Sequence, residues 1–183
     1  MAEAKLEAAQ LEQLKELSGL LNYDYTKETF NVVSADVTLE DRSSWTDVFV
    51  IDRGSESGIK NGAIVIDGVG LVGRVCEVGE GWAKVKTVLS EENSVSFMLA
   101  RSNKQLGVAS GGENGQFVGY MFDEKSTVAE SDILITSGMG VYPAGIEIGS
   151  VTSVSFNDDK LIKEVTIEPI VDFTSLRKVA VII

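Results

Sequence analysis

The chain has 183 residues, 44% apolar and 24% charged, a composition that can bury a packed core in one domain or in two small ones. Its formal net charge of −12 repels phosphate backbones and argues against nucleic acid as a partner. It has no histidine and a single cysteine, Cys76, so imidazole base chemistry, Cys/His zinc sites and an intrachain disulfide are excluded by count.

Residues 2–21 hold Ala, Leu, Glu, Lys and Gln almost without interruption, which predicts a helix over 1–22. At 100° per residue Leu6, Leu11, Leu14, Leu17, Leu20 and Leu21 fall within one half of the wheel, and Lys5, Glu12, Lys15 and Glu16 on the other. About twenty residues of this composition are only marginally helical alone. The stripe is therefore expected to meet a second copy, as the end of a coiled coil with Leu6, Leu11, Leu14, Leu17 and Leu21 at a homodimer interface, or to fold back on the protein body. Gly19 and Asn22 weaken and end the helix. Met1 opens directly into the pattern with no N-cap signal ahead of it, so the helix reads as cut partway along. No run reaches the roughly 18–20 apolar residues that span a bilayer, and no signal-peptide pattern is present. Any link to a membrane is then expected to run through an upstream anchor.

Beyond Thr29 β-branched alternation takes over, punctuated by Gly, Asn, Asp and Ser. In chain order the candidate strands are FNVVSADVTL, DVFVID, AIVID, LVGRVCEV, AKVKTVL, SVSFML, LGVAS, QFVGYM, DILITS, IEIGSVTSVSF, KEVTIEPI and KVAVII. About twelve short strands with turn signals between them predict a mainly β protein with barrel or sandwich architecture, not a βαβ fold. The segment SGIKNGAIVIDG followed by LVGRV at 71–75 parallels STVAESDILITSG followed by EIGSV at 147–151, which suggests two related small barrels. Residues 64–122 read as a compact series of hairpin-linked strands, an inserted second barrel. Residues 30–63 and 123–183 then form the first barrel, discontinuous in sequence. Cys76 reads as a small buried hydrophobe. Trp45 and Trp82 more naturally plug a barrel end than stack on a sugar or a partner.

The stretch ITSGMGVYPAGIEIGSV, residues 135–151, is the one place that looks like a catalytic motif. A serine nucleophile at Ser137 needs a base and oxyanion donors, and without histidine the base would be a carboxylate or a lysine of lowered pKa. The nearest lysines in sequence, Lys125 and Lys160, sit in polar stretches that favour a solvated ammonium. The other reading has its own mechanism. Gly138, Gly140 and Gly145 supply positive φ or close backbone approach, Pro143 presets a turn, and Thr136, Ser137 and Gly149 complete a wide turn between two strands. The acidic groups SEEN at 90–93, FNDD at 156–159 and LEDR at 39–42 lack an EF-hand spacing and read as solvated turns. No pattern calls for a cofactor or a metal.

The order RSSWTDVFVIDRGSESGIKNGAIVIDGVGLVGRVCEVGEGWAKV, SVSF and DILITSGMGVYPAGIEIGSV resembles the extracytoplasmic part of the bacterial cell-shape protein family MreC, with DRGSESGIKNG, GLVGRV and TSGMGVYPAGIEIG as the most specific pieces. The family pattern commonly has a second glycine where Val141 stands and an aspartate where Ala63 stands. The resemblance implies an N-terminal transmembrane anchor, a dimerising coiled coil and two β-barrels on the extracytoplasmic face of the cell membrane. It further implies a non-enzymatic scaffold of the cell-wall elongation machinery, involved in cell shape and peptidoglycan synthesis. Its partners would be MreD, RodA, a class B penicillin-binding transpeptidase and further copies of itself, in dimers or filaments. It brings no catalytic residues. Two other classes of function are a double-barrel serine hydrolase using Ser137 and a module that binds a cell-wall polymer.

Overall fold

The computed structural model describes residues 31–40, 47–112 and 116–183. The helix expected over 1–22 with its leucines, and Trp45, lie outside these residues. Among the described residues twelve strands are present: β1 (Val32–Glu40), β2 (Val48–Ile51), β3 (Ile64–Ile66), β4 (Leu71–Val78), β5 (Ala83–Thr87), β6 (Val95–Leu99), β7 (Ser102–Gly111), β8 (Phe117–Met121), β9 (Ile133–Thr136), β10 (Glu147–Asn157), β11 (Ile162–Pro169) and β12 (Lys178–Ile182). Each falls on one of the alternating runs. In β5, Ala83, Val85 and Thr87 are buried and Lys84 and Lys86 are not, which is the period of two that a half-buried strand requires.

The strands close into two six-stranded antiparallel barrels, which removes sheet edges that would otherwise stand unpaired. Around the first the order is β1-β12-β3-β4-β5-β2, and around the second it is β7-β6-β9-β10-β11-β8. The division at 64–122 therefore needs correction. β3, β4 and β5 belong to the first barrel, and β9, β10 and β11 to the second. The reason is that hairpin linkage joins neighbours in sequence but does not say where one barrel closes. The chain passes from the first barrel to the second along the irregular segment from Val88 to Ser94, and returns to the first between Pro169 and Lys178.

Matching neighbour for neighbour, β1 to β5 correspond to β7 to β11, and β12 corresponds to β6. Each half of the chain thus supplies five strands to one barrel and its sixth to the other. The registers repeat as well. Val65 faces Gly73 and Ile66 faces Leu71 across a bulge, just as Leu134 faces Gly149 and Ile135 faces Glu147. Gly73 and Gly149 are the glycines of the two echoing segments, and both are closely approached. A Cβ on Gly73 would lie 2.1 Å from the Lys86 carbonyl oxygen, and one on Gly149 2.1 Å from that of Glu168.

The next bulge is shared too. Between Val75 and Glu77, and again between Val151 and Ser153, β4 and β10 each carry an extra residue. The extra residues are Cys76 and Thr152. Cys76 donates its Sγ–H to the Lys84 carbonyl at 3.5 Å, and Thr152 donates its hydroxyl to the Thr166 carbonyl at 3.2 Å. The thiol is therefore half-buried and acts as a weak donor at a bulge, not as the buried hydrophobe its apolar surroundings suggest. Trp82 differs from expectation as well. At 40% exposure it does not plug a barrel but lies over Gly79 at the β4–β5 turn, where a Cβ would sit 2.1 Å from its indole nitrogen. One continuous apolar core, from Phe49 and Ile51 through Val88 and Leu89 to Phe97, Phe117 and Ile167, runs through both barrels.

Candidate functional site

In the first barrel the β3–β4 connection is short. The Asp67 N–H donates to the Gly70 carbonyl at 3.0 Å, and Asp67 Oδ1 accepts from Val69 and Gly70, each at 2.9 Å. The corresponding β9–β10 connection closes with the Thr136 N–H donating to the Ile146 carbonyl at 2.8 Å, so the chain makes a long excursion over residues 137–145. This is the stretch that looks catalytic in sequence.

Thr136, fully buried, holds the base of the excursion. Its hydroxyl donates to the Pro143 carbonyl at 2.5 Å and accepts from the Ile146 N–H at 2.8 Å, while its carbonyl accepts from Gly145 at 2.8 Å. Gly138, Gly140 and Gly145 have φ of 79°, 108° and 88°, the left-handed region that glycine enters without a steric penalty. Pro143 lies half-buried between them. Gly149 is not part of the turn. It stands inside β10, paired with Leu134 and Pro169, and its role is the close strand crossing described above.

Midway along the excursion Tyr142 turns inward and is 3% exposed. Its hydroxyl donates to Asn93 Oδ1 at 2.6 Å, and the Asn93 amide donates in turn to the carbonyls of Lys86 and Thr87 at 3.2 and 3.0 Å. Asn93 is fully buried, so SEEN is not the solvated turn its composition suggests. Burial pushes the Tyr142 phenol above its ordinary pKa, which keeps it a donor. The clamp ties the second barrel's excursion to the first of the two segments that link the barrels. Beside it, Glu147 opens β10 as a half-buried carboxylate whose pKa burial raises. A Cβ on Gly70 of the first barrel would lie 2.5 Å from the Glu147 carbonyl oxygen.

Ser137 is half-buried, and its N–H extends the β6–β9 ladder by donating to the Ser96 carbonyl at 2.9 Å. Its hydroxyl oxygen accepts from the Met139 N–H at 3.2 Å, a local turn bond. Lys125 and Lys160 are exposed, Lys163 donates to the Ser126 carbonyl at 2.5 Å, and Lys86 is paired with Glu92. Among the described residues, none of these lysines is hydrogen-bonded to the Ser137 hydroxyl. The apex instead presents Met139 and Val141, 54% and 60% exposed. An apolar tip on a hydrogen-bonded base is suited to contact with another macromolecule.

Sequence reasoning therefore located the excursion but missed its anchor, Asn93. The available signal was Tyr142, a lone aromatic in a glycine-rich stretch. Once buried, its hydroxyl needs an acceptor. Among the described residues no group of three or more His, Cys, Asp or Glu is arranged to hold a metal ion, and no helix is long and apolar enough to cross a membrane.

The family described as rod shape-determining protein MreC, barrel core, matches residues 37–183. The cell shape-determining protein MreC of Listeria monocytogenes is 27% identical over 190 residues, covering all of this chain and 64% of that protein. A solved structure of the Listeria monocytogenes protein superposes with a TM-score of 0.77 at 26% identity, covering 98% of this chain and 89% of the other. The fold also recurs, at 14% identity and a TM-score of 0.64, in a complex between the penicillin-binding protein PBP2 and MreC from Helicobacter pylori, over 83% of this chain and 99% of that one. With the barrel-core family matched over residues 37–183 and both barrels shared with a solved relative, the chain belongs to the MreC family of rod shape-determining proteins.

Proposed function

We propose that the chain is a non-enzymatic, extracytoplasmic scaffold of the cell-wall elongation complex, anchored by an upstream transmembrane helix. The observation that carries this reading is membership of a rod shape-determining family, matched over residues 37–183. The Ser137 geometry agrees with it, since the hydroxyl accepts a local backbone bond from the Met139 N–H. The Leu-faced segment over 1–22 pairs two chains. The barrels present binding surface to a class B penicillin-binding transpeptidase, with RodA and MreD as further partners. The complex of a Helicobacter pylori relative with PBP2 supports the first of these. Met139 and Val141, exposed on an anchored loop, are the apolar contact we assign to a protein partner.

Co-purification of the chain with a co-expressed class B transpeptidase tests the scaffold role. A stable complex that Met139→Glu with Val141→Glu weakens is expected, and no complex at any expression level would refute the role. Sedimentation with and without residues 1–22 tests the helix pairing, which equal monomeric masses at high concentration would exclude. Labelling by a fluorophosphonate that disappears in Ser137→Ala would overturn the non-enzymatic reading.

A further inference from the structure

The β10–β11 hairpin extends past the barrel that holds it. On one side β9 pairs with β10 only as far as Ser150, and backbone bonds from the Ser131–Asp132 turn reach Val151. On the other side β8 pairs with β11 only over Glu164–Ile167. From Ser153 to Asn157, among the described residues, β10 pairs with β11 alone. In such a two-stranded stretch every second residue points its N–H and C=O away from its partner, leaving an open ladder edge. Ser153, Ser155 and Phe156 are exposed, the last at 45%, so the edge faces solvent.

Exposed edges are usually blunted by charge or proline. The run from Ser150 to Asn157 has neither, in a chain whose net charge is −12. We propose that Ser153–Asn157 is an interaction edge that pairs antiparallel with the same strand of a second copy of this chain, across a twofold axis at Ser155.

Three features select this occupant and register. With Ser155 on the axis, Val154 of each copy stands opposite Phe156 of the other, an aromatic–β-branched pair formed twice on one face. Asp158, where the acidic tip of the hairpin begins, then lies opposite Thr152, a hydroxyl. A parallel pairing would instead set Asp158 and Asp159 against their own copies, which is destabilising. The uncharged run is the part of β10 along which two acidic chains approach without opposing carboxylates. A contact of five residues per chain falls below the roughly 1,000 Å² of a stable interface, so it forms weakly and depends on concentration.

The pairing extends the scaffold reading, but it does not depend on residues 1–22 or on a transpeptidase, so its failure and that reading's failure are separate results. The test uses the full chain carrying Cys76→Ser and Ser155→Cys. Residues facing each other in an antiparallel pair have Cα atoms about 4.5–5.5 Å apart, within disulfide range. Under mild oxidation this chain is expected to form a covalent dimer about ten-fold faster than a control with Cys76→Ser and Glu168→Cys, an exposed position on β11. Ser153→Cys mixed with Asn157→Cys is expected to cross-link faster than either alone. Adding Phe156→Lys to the Ser155→Cys chain is expected to bring its rate down to that of the control. Equal rates at positions 155 and 168, or a rate at 155 indifferent to Phe156→Lys, would overturn the pairing.

Discussion

The Tyr142 hydroxyl donates to Asn93 Oδ1 at 2.6 Å across 49 residues of sequence, and so fastens a loop of the second barrel to the first of the two segments joining the barrels. Both side chains are buried, and the amide half of Asn93 is used as well. Tyr142→Phe strands the Asn93 oxygen without a donor and is expected to cost about 1–3 kcal/mol. Asn93→Ala is expected to cost more, because the Lys86 and Thr87 carbonyls each lose a donor. Urea unfolding checks both, as a lower midpoint at unchanged slope.

Adjacent hydroxyls at the loop base are expected to behave oppositely. Thr136→Val keeps the shape but removes the group that bonds Pro143 and Ile146, with an expected loss of roughly 1–3 kcal/mol. Ser137→Ala removes only an acceptor for the nearby Met139 N–H and is expected to stay within about 0.5 kcal/mol of the parent. Thermal denaturation of the two variants side by side distinguishes them.

Gly73→Ala and Gly149→Ala are each expected to destabilise by about 1–3 kcal/mol or more, since the new methyl meets a backbone carbonyl that cannot rotate away. Gly81→Ala meets nothing within 4 Å and is expected to be neutral or to stabilise by about 0.4–1 kcal/mol through the unfolded state. Similar midpoints for all three would contradict the close approach of backbone at the two strand crossings.

Two carboxylates are expected to give acid dependences of opposite sign. The Arg101 guanidinium, bonded to both Asp132 oxygens at 2.7 and 2.9 Å, holds the Asp132 pKa below its ordinary value. That stabilisation is present above the unfolded pKa, about 3.9, and fades as pH falls through the folded one. Arg101→Gln is therefore expected to flatten the acid limb of stability. Burial raises the Glu147 pKa, so its penalty is absent in acid and sets in as pH climbs from the unfolded to the folded value. Glu147→Gln is expected to raise the urea midpoint at pH 7 and to leave it unchanged in acid. Urea midpoints followed from pH 3 to 7 read both effects.

The strands themselves were legible because alternation and turn residues act over a few positions. LVGRV and EIGSV could even be matched, since both place a glycine where another strand's carbonyl crosses. Barrel membership was not legible. The choice of β12 rather than β6 as the neighbour of β3 is made by contacts far apart in sequence, and both strands are five-residue, apolar-rich runs. Asn93 was hidden for a different reason. SEEN has the composition of a solvated turn, and the acceptor its last residue supplies is used by Tyr142, 49 residues further along the chain.

The exchange of sixth strands also sets an order on biosynthesis. β1 and β3 leave the ribosome early, yet the strand that closes the gap between them, Lys178–Ile182, is made only after the whole of the second barrel. Nascent chains therefore carry an open-sided first barrel from the completion of β5 at Thr87 until β12 is made, and a ribosome stalled before Lys178 leaves that side exposed to chaperones and proteases.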